Sequence, residues 1–145
     1  MKKTIIWVIC IVLVLAGIWW LFSERSILTG NVQDIVKITV TKYSGGNVYD
    51  YNFTDKDDIE QVAGNLQQTK ILLVERFPGH TESIQNDTPY QVCVIYSNGT
   101  KDEISFSENK EIVFRMLNTK GNSGDRGWVK GENKSLFAFF NEFIK

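Results

Sequence analysis

Hydrophobic and polar positions divide the chain into one unbroken apolar run and a longer segment in which the two kinds alternate. The run covers residues 5–22, eighteen residues without a charge or a proline, and follows Lys2 and Lys3. As a helix rising ~1.5 Å per residue it spans about 27 Å, close to the ~30 Å hydrocarbon core of a bilayer. Basic residues before the run favour a cytoplasmic N-terminus, which predicts that the rest of the chain faces outward. The pattern predicts a single-pass signal anchor over residues 1–23 in the cell membrane.

A cleaved signal peptide is the alternative interpretation of this run. Such peptides have apolar regions of ~7–15 residues that end at small residues in an A-x-A-like pattern. The run here is longer and ends in the bulky residues 18–22, and only Ala16 and Gly17 form a small pair. Cys10 has no small residue before it and lies too early in the run, which argues against lipidation. An uncleaved anchor is the preferred interpretation.

Alternation begins after a mixed stretch, residues 24–34, which is predicted to be a juxtamembrane linker. Residues 35–41 and 48–53 each alternate with period 2, and the turn-forming residues 44–47 separate them, so a β-hairpin is predicted. Pairing Tyr43 with Val48 gives this hairpin one apolar and one polar face. The extracytoplasmic domain is therefore taken as residues 35–145.

Two amphipathic helices are predicted from spacing at i, i+3, i+4 and i+7. Thr54 or Asp55 is the expected cap of the first helix. Its core stripe consists of Ile59, Val62, Ala63 and Leu66. The second stripe, at the C-terminal end of the sequence, consists of Leu136, Phe139, Phe140, Phe143 and Ile144.

Further strands are predicted at residues 71–74, 90–96, 104–106 and 111–117, and residues 121–131 are predicted to be a flexible loop around Trp128. Together these elements predict an α+β fold. We expect a two-layer sandwich in which two helices cover one face of an antiparallel sheet of about six strands, preceded by one N-terminal transmembrane helix.

Composition excludes several classes of function. The chain has 16 basic and 17 acidic residues, so it lacks the basic surface that nucleic acid requires. Its one histidine, His80, is a single nitrogen donor where a transition-metal site normally needs three or four ligands. No nucleophile or phosphate-loop motif is present, and Asp102 and Glu103 are strand neighbours that point to opposite faces. We therefore predict no catalytic residue, metal or cofactor, and an enzyme is not the favoured class.

One strand has apolar residues on both faces. An Asn98-Gly99 turn with a two-residue loop pairs Cys93 with Ile104 and Val94 with Glu103. One face of this strand is then core, and the other has four apolar or aromatic residues, which we name the Tyr/Val stripe: Tyr90, Val92, Val94 and Tyr96.

Two interpretations of the Tyr/Val stripe are open. It is either a central strand covered on both sides or an exposed patch that binds a partner. In the second case His80, Glu82 and Asp87 form the polar rim of a site for a protein or an envelope component.

The order of these parts resembles that of small membrane-anchored or lipoprotein-like outer domains of unknown function in Gram-positive Firmicute bacteria. The resemblance rests on the Lys-rich start, the apolar span, the hairpin, residues 54–59 (TDKDDI) opening a helix, and residues 82–89 (ESIQNDTP) before a strand. It implies a bacterial envelope and transfers no functional residue.

These observations favour a non-catalytic, membrane-anchored binding or accessory module. A small-ligand-sensing or structural envelope domain is the first alternative, and it predicts that the Tyr/Val stripe is buried or lines a closed pocket. A cell-envelope hydrolase is the second alternative, and it requires a cleft that holds His80 beside an acid.

Overall fold

The computed structural model describes residues 2–21, 23–78, 89–106, 112–118, 122–129 and 134–144. Its α-helices are α1 (Lys2–Leu21), α2 (Lys56–Gln68) and α3 (Lys134–Phe143), and a 3-10 helix spans Val32–Asp34. Its strands are β1 (Arg25–Ser26), β2 (Ile35–Ser44), β3 (Asn47–Phe53), β4 (Lys70–Pro78), β5 (Tyr90–Tyr96), β6 (Lys101–Phe106), β7 (Ile112–Asn118) and β8 (Asn122–Val129).

The strands form one antiparallel sheet in the order β1-β4-β8-β7-β6-β5-β2-β3. The predicted α+β class with an antiparallel sheet is confirmed. The predicted count of about six strands is wrong, because eight strands are paired in the described part of the chain. Four of them, in the order β3-β2-β5-β6, have described side chains along their whole length and contribute most of the sheet's described core.

Two strands were absent from the prediction because their sequences carry no alternation. β1 has only two residues and pairs with the start of β4. β8 lies where a flexible loop is predicted, and it pairs with both β4 and β7. Gly124 and Gly127 give β8 no side-chain pattern, yet the backbone of any residue can bond to two neighbouring strands.

The β2–β3 hairpin has the predicted register. Tyr43 lies opposite Val48, and Val40 lies opposite Tyr51. Gly45 and Gly46 have φ angles of 58° and 81°, the left-handed conformation that a two-residue type I′ turn requires.

The β5–β6 hairpin differs from the prediction by one residue. Gly99 N donates to Tyr96 O at 2.9 Å, and Tyr96 N donates to Thr100 O at 2.9 Å, so the loop has three residues rather than two. Gly99, with φ 81°, follows the turn in the left-handed conformation of a G1 bulge. Cys93 therefore lies opposite Glu103, not Ile104. Because side chains alternate, this slip moves every residue of β5 to the other face relative to β6.

The core lies between α2, α3 and one face of the sheet, which we name the inner face. The predicted stripe of α2 is buried, and Asp55 caps this helix by accepting a hydrogen bond from Asp57 N at 3.0 Å. Leu136, Phe140 and Ile144 of the C-terminal stripe are also buried. These helical residues join one cluster with the inner-face residues of β2, β5 and β6.

Helix α1 has the predicted position and an apolar sequence. All of its described side chains, residues 5–20, are exposed. Within the described part of the chain, no helix combines the length and hydropathy needed to cross a bilayer.

Candidate functional site

The Tyr/Val stripe is not a surface. Its four residues are between 0% and 2% exposed and belong to the central cluster of the core. The hypothesis that these residues form an exposed partner site is therefore wrong, and the reason is the one-residue difference in the β5–β6 register. The residues concerned are Tyr90, Val92, Val94 and Tyr96. The predicted rim residues, His80, Glu82 and Asp87, lie outside the described residues.

The opposite face of strands β3-β2-β5-β6, which we name the outer face, is polar. Most of its members are half-buried by their neighbours in the sheet, and none is covered by a described helix. They include Lys37, Thr39, Thr41, Asp50, Asn52, Gln91, Cys93, Lys101 and Glu103.

Hydrogen bonds across the strands hold the outer-face side chains in rows. Thr39 Oγ1 donates to Asn52 Oδ1 at 3.0 Å, and Thr41 Oγ1 donates to Asp50 Oδ1 at 2.6 Å. The Tyr43 hydroxyl donates to Gln91 Oε1 at 3.1 Å. Each bond uses one oxygen of an amide or carboxylate, so the other end of that group faces solvent or a ligand.

Charges at one end of the outer face are paired. Lys101 Nζ lies 2.6 Å from Glu103 Oε1, and this hydrogen bond raises the pKa of the lysine. Burial raises the pKa of the Cys93 thiol, and the neighbouring Glu103 carboxylate raises it further. Since the thiolate is the reactive form, Cys93 is a poor nucleophile, as its apolar sequence context predicts.

A buried carboxylate lies on the inner face, where no site is predicted from the sequence. Asp102 is 0% exposed and accepts three hydrogen bonds. Thr29 donates from its backbone N at 2.8 Å and from Oγ1 at 2.6 Å, and the Tyr96 hydroxyl donates at 2.8 Å. Burial, followed by the bond to Asp102, raises the pKa of Tyr96, so the phenol stays protonated and remains a donor.

This cluster attaches the predicted linker to the domain. Ile27 and Leu28 are buried in the core, and β1 extends the sheet beyond β4. A Cβ at Gly30 would clash with the ring of Tyr96, so only glycine allows the backbone to approach the ring this closely. Residues 24–34 are therefore part of the folded unit and not a free tether.

A surface cleft of about 550 Å³ lies where the 3-10 helix, the start of β2 and the start of α2 meet. Its lining includes Val32, Ile35, Val36 and Ile59, with Lys56 and Glu60 at one side. Val36 is the extra residue of a bulge between Ile35 and Lys37, which turns its side chain toward this cleft and leaves it exposed.

No group of three or more metal-binding side chains occurs among the described residues. Comparison with family models, with curated proteins and with solved structures found no match for the chain.

Proposed function

We propose that the chain is a non-catalytic binding or accessory module that residues 5–22 hold at a bacterial cell membrane, with the domain outside the cytoplasm. The observation that carries this proposal is the exposure of every described side chain of α1. A helix that is apolar on all sides requires a nonpolar environment, and a bilayer supplies one. The apolar run in the sequence also continues to Phe22, one residue beyond α1.

Substituting Leu13→Arg tests the anchor, because residue 13 is near the middle of the run. An arginine at the centre of a membrane helix costs about 2.5–3.5 kcal/mol of insertion free energy. We expect the native chain to stay with membranes after alkaline carbonate extraction and the Leu13→Arg chain to be released. Val36→Arg, a substitution at an exposed apolar residue of the domain, is the control and should stay with the membranes. Equal extraction of all three chains contradicts the anchor.

The same preparation distinguishes the anchor from a cleaved signal peptide, since the mass of the mature chain shows whether residues 1–23 are retained. The side of the membrane on which the domain lies is determined with Ser97→Cys in the exposed β5–β6 turn, in a chain whose native thiols are removed by Cys10→Ser and Cys93→Ser. A membrane-impermeant maleimide should label this thiol in intact cells. Labelling only after lysis would place the domain in the cytoplasm.

The outer face supports the binding part of the proposal. It presents amide, hydroxyl and carboxylate groups in rows at the ~4.8 Å strand spacing, and no described helix covers it. A flat polar array of this kind suits an extended polar partner, such as a protein segment or an envelope polymer. The binding surface proposed here replaces the Tyr/Val stripe.

A photo-crosslinking amino acid in place of Tyr43 tests this surface. Tyr43 is an exposed aromatic residue of the outer face, so a side chain of similar size is tolerated there. We expect an adduct from Tyr43 when the full chain is irradiated in native membranes. The matched control is Glu60, an exposed residue of α2 in the other layer. Equal adducts from both positions, or none from either, would contradict binding at the outer face.

The burial of the Tyr/Val stripe favours a second candidate, a small-ligand-sensing or structural envelope domain. That alternative predicts a buried stripe, and the cleft beside Val36 and Lys56 offers space for a small molecule. If Tyr43 yields no adduct, this candidate becomes the preferred one. The hydrolase alternative depends on His80, which lies outside the described residues.

A further inference from the structure

Strand β3 is one edge of the sheet, and its second side pairs with nothing in the described part of the chain. The type I′ turn makes Ser44 and Asn47 a hydrogen-bonded pair, so bonding to β2 recurs at every second residue of β3. The backbone groups of Val48, Asp50 and Asn52 therefore point away from the sheet. These unused donors and acceptors are a template for another strand.

The usual protections of an edge strand are missing from β3. It is seven residues long and has no lysine, proline or bulge, and Asp50 is its only charged residue. Val48 and Tyr49 are large apolar residues exposed at its start. By contrast, the opposite edge of the sheet consists of the two-residue β1 and the part of β4 beyond Ile71, which contains Glu75 and Arg76 and ends in a proline.

We propose that β3 pairs with β3 of a second copy of this chain, antiparallel and about a two-fold axis at Tyr51. A two-fold axis perpendicular to the sheet keeps the outer faces of both copies on one side. Each outer-face residue of β3 must therefore lie opposite an outer-face residue of the second copy, and each inner-face residue opposite an inner-face residue. Within the centre of β3, this requirement leaves axes at Tyr49, Asp50 or Tyr51. An axis at Asp50 puts the two Asp50 carboxylates directly opposite each other, which is unfavourable.

Hydrogen-bond polarity selects the axis at Tyr51. In that register Asp50 lies opposite Asn52 of the second copy, and the two residues exchange backbone hydrogen bonds. Thr39 already donates to Asn52 Oδ1, which turns the amide nitrogen outward as a donor. Thr41 already donates to Asp50 Oδ1, which leaves Oδ2 as an acceptor. The two-fold axis makes this Asn-to-Asp contact twice, whereas an axis at Tyr49 places Val48 opposite Asp50.

The inner face is compatible with the same register. Tyr51 would meet its own copy, and Tyr49 would meet Phe53, giving aromatic pairs at the closely spaced, non-hydrogen-bonded positions. Tyr51 and Phe53 are only partly buried in one copy, although both pack against the core. One seven-residue strand is a small interface, so we expect a weak dimer that forms at high local concentration.

Disulfide trapping tests the register in the full chain, purified in detergent and without its native thiols (Cys10→Ser and Cys93→Ser). At the two-fold axis the Cα atoms of a non-hydrogen-bonded pair are about 4.5 Å apart, within the range of a disulfide. We expect Tyr51→Cys to form a covalent dimer under mild oxidation. Tyr49→Cys is the matched control, because the thiols at position 49 are offset along the strands by about 13 Å.

A charge exchange tests the contact itself. Asn52→Asp keeps the oxygen that accepts from Thr39 but puts two carboxylates opposite each other at both contacts. We expect it to lower the yield of Tyr51→Cys dimer at least roughly fivefold. Adding Asp50→Asn restores an amide opposite a carboxylate and should restore the yield.

These outcomes separate the proposal from its competitors, and none depends on whether α1 enters a membrane. Trapping at position 51 that Asn52→Asp abolishes and the double exchange restores supports the dimer. The proposal is overturned if only Tyr49→Cys forms a covalent dimer, if Asn52→Asp leaves the yield of Tyr51→Cys dimer unchanged, or if no dimer forms. A heterologous protein trapped at position 51 in cells in place of a second copy would also overturn it.

Discussion

Replacing Tyr90 with Ala is expected to lower the free energy of unfolding of the domain by about 3–5 kcal/mol, the usual cost of deleting a large buried aromatic side chain. Tyr90 is 1% exposed, and its ring lies 5.3–5.8 Å from those of Phe106, Phe137 and Phe140. Its hydroxyl donates to Asn141 Oδ1 at 2.6 Å, so the residue also ties α3 to β5. Domains of this size have total stabilities of ~5–15 kcal/mol, so the expected loss is a large fraction of the total.

Urea unfolding of the full chain in detergent, followed by near-ultraviolet circular dichroism, measures this loss. Tyr90→Phe keeps the ring and loses only the bond to Asn141, and should cost about 0.5–1.5 kcal/mol. Tyr43→Ala, at an exposed tyrosine of the outer face, should cost less than Tyr90→Ala. A Tyr90→Ala chain as stable as the Tyr43→Ala chain would show that the Tyr/Val stripe is not core.

The second large effect is expected at Asp102. Asp102→Ala should destabilise the domain by about 2–4 kcal/mol, because it removes the acceptor of three hydrogen bonds in the core. The backbone N–H of Thr29 can only donate, so the Ala side chain leaves this donor without its acceptor. The measurement is the same urea titration.

Glu103→Ala is the matched control, since Glu103 is the next residue along β6 but faces the other side of the sheet. This substitution should lower the free energy of unfolding by less than about 1 kcal/mol, because it removes only a partly exposed ion pair with Lys101. Combining Asp102→Ala with Tyr96→Phe tests the network, because the double variant should lose less stability than the sum of the two single losses. Full additivity would mean that the hydroxyl and the carboxylate do not interact.

The sequence predicted the elements in which side-chain pattern and backbone preference agree. In the β2–β3 hairpin, two consecutive glycines and two alternating strands permit a single register. In α2, an apolar stripe follows an Asp cap, and every residue of the predicted stripe is buried. These signals are local, so distant parts of the chain do not change their meaning.

The prediction failed where one local signal has two structural solutions. Asn98-Gly99 can occupy the centre of a two-residue turn or the last two positions of a three-residue loop. The choice between them reverses the faces of β5 relative to β6. The second solution places Val92 opposite Ile104 and the Tyr/Val stripe in the core.

The buried carboxylate could not be recognised because its partners come from a distant segment. Thr29 is 73 positions away from Asp102, and it lies in a stretch without an alternating pattern. The available signal was the position of Asp102 in phase with Ile104 and Phe106. An acidic residue on an otherwise apolar face indicates that donors from elsewhere in the fold must meet it.

The attachment of residues 25–30 to the sheet limits how far the domain can lie from α1, the segment that we propose as its membrane anchor. Only three residues, 22–24, separate the end of α1 at Leu21 from the start of β1 at Arg25. Even fully extended, the four Cα-to-Cα steps from Leu21 to Arg25 span no more than about 14 Å. If α1 lies in a bilayer, as we propose, the domain therefore stays at the lipid headgroups, and only partners at the membrane surface are within its reach.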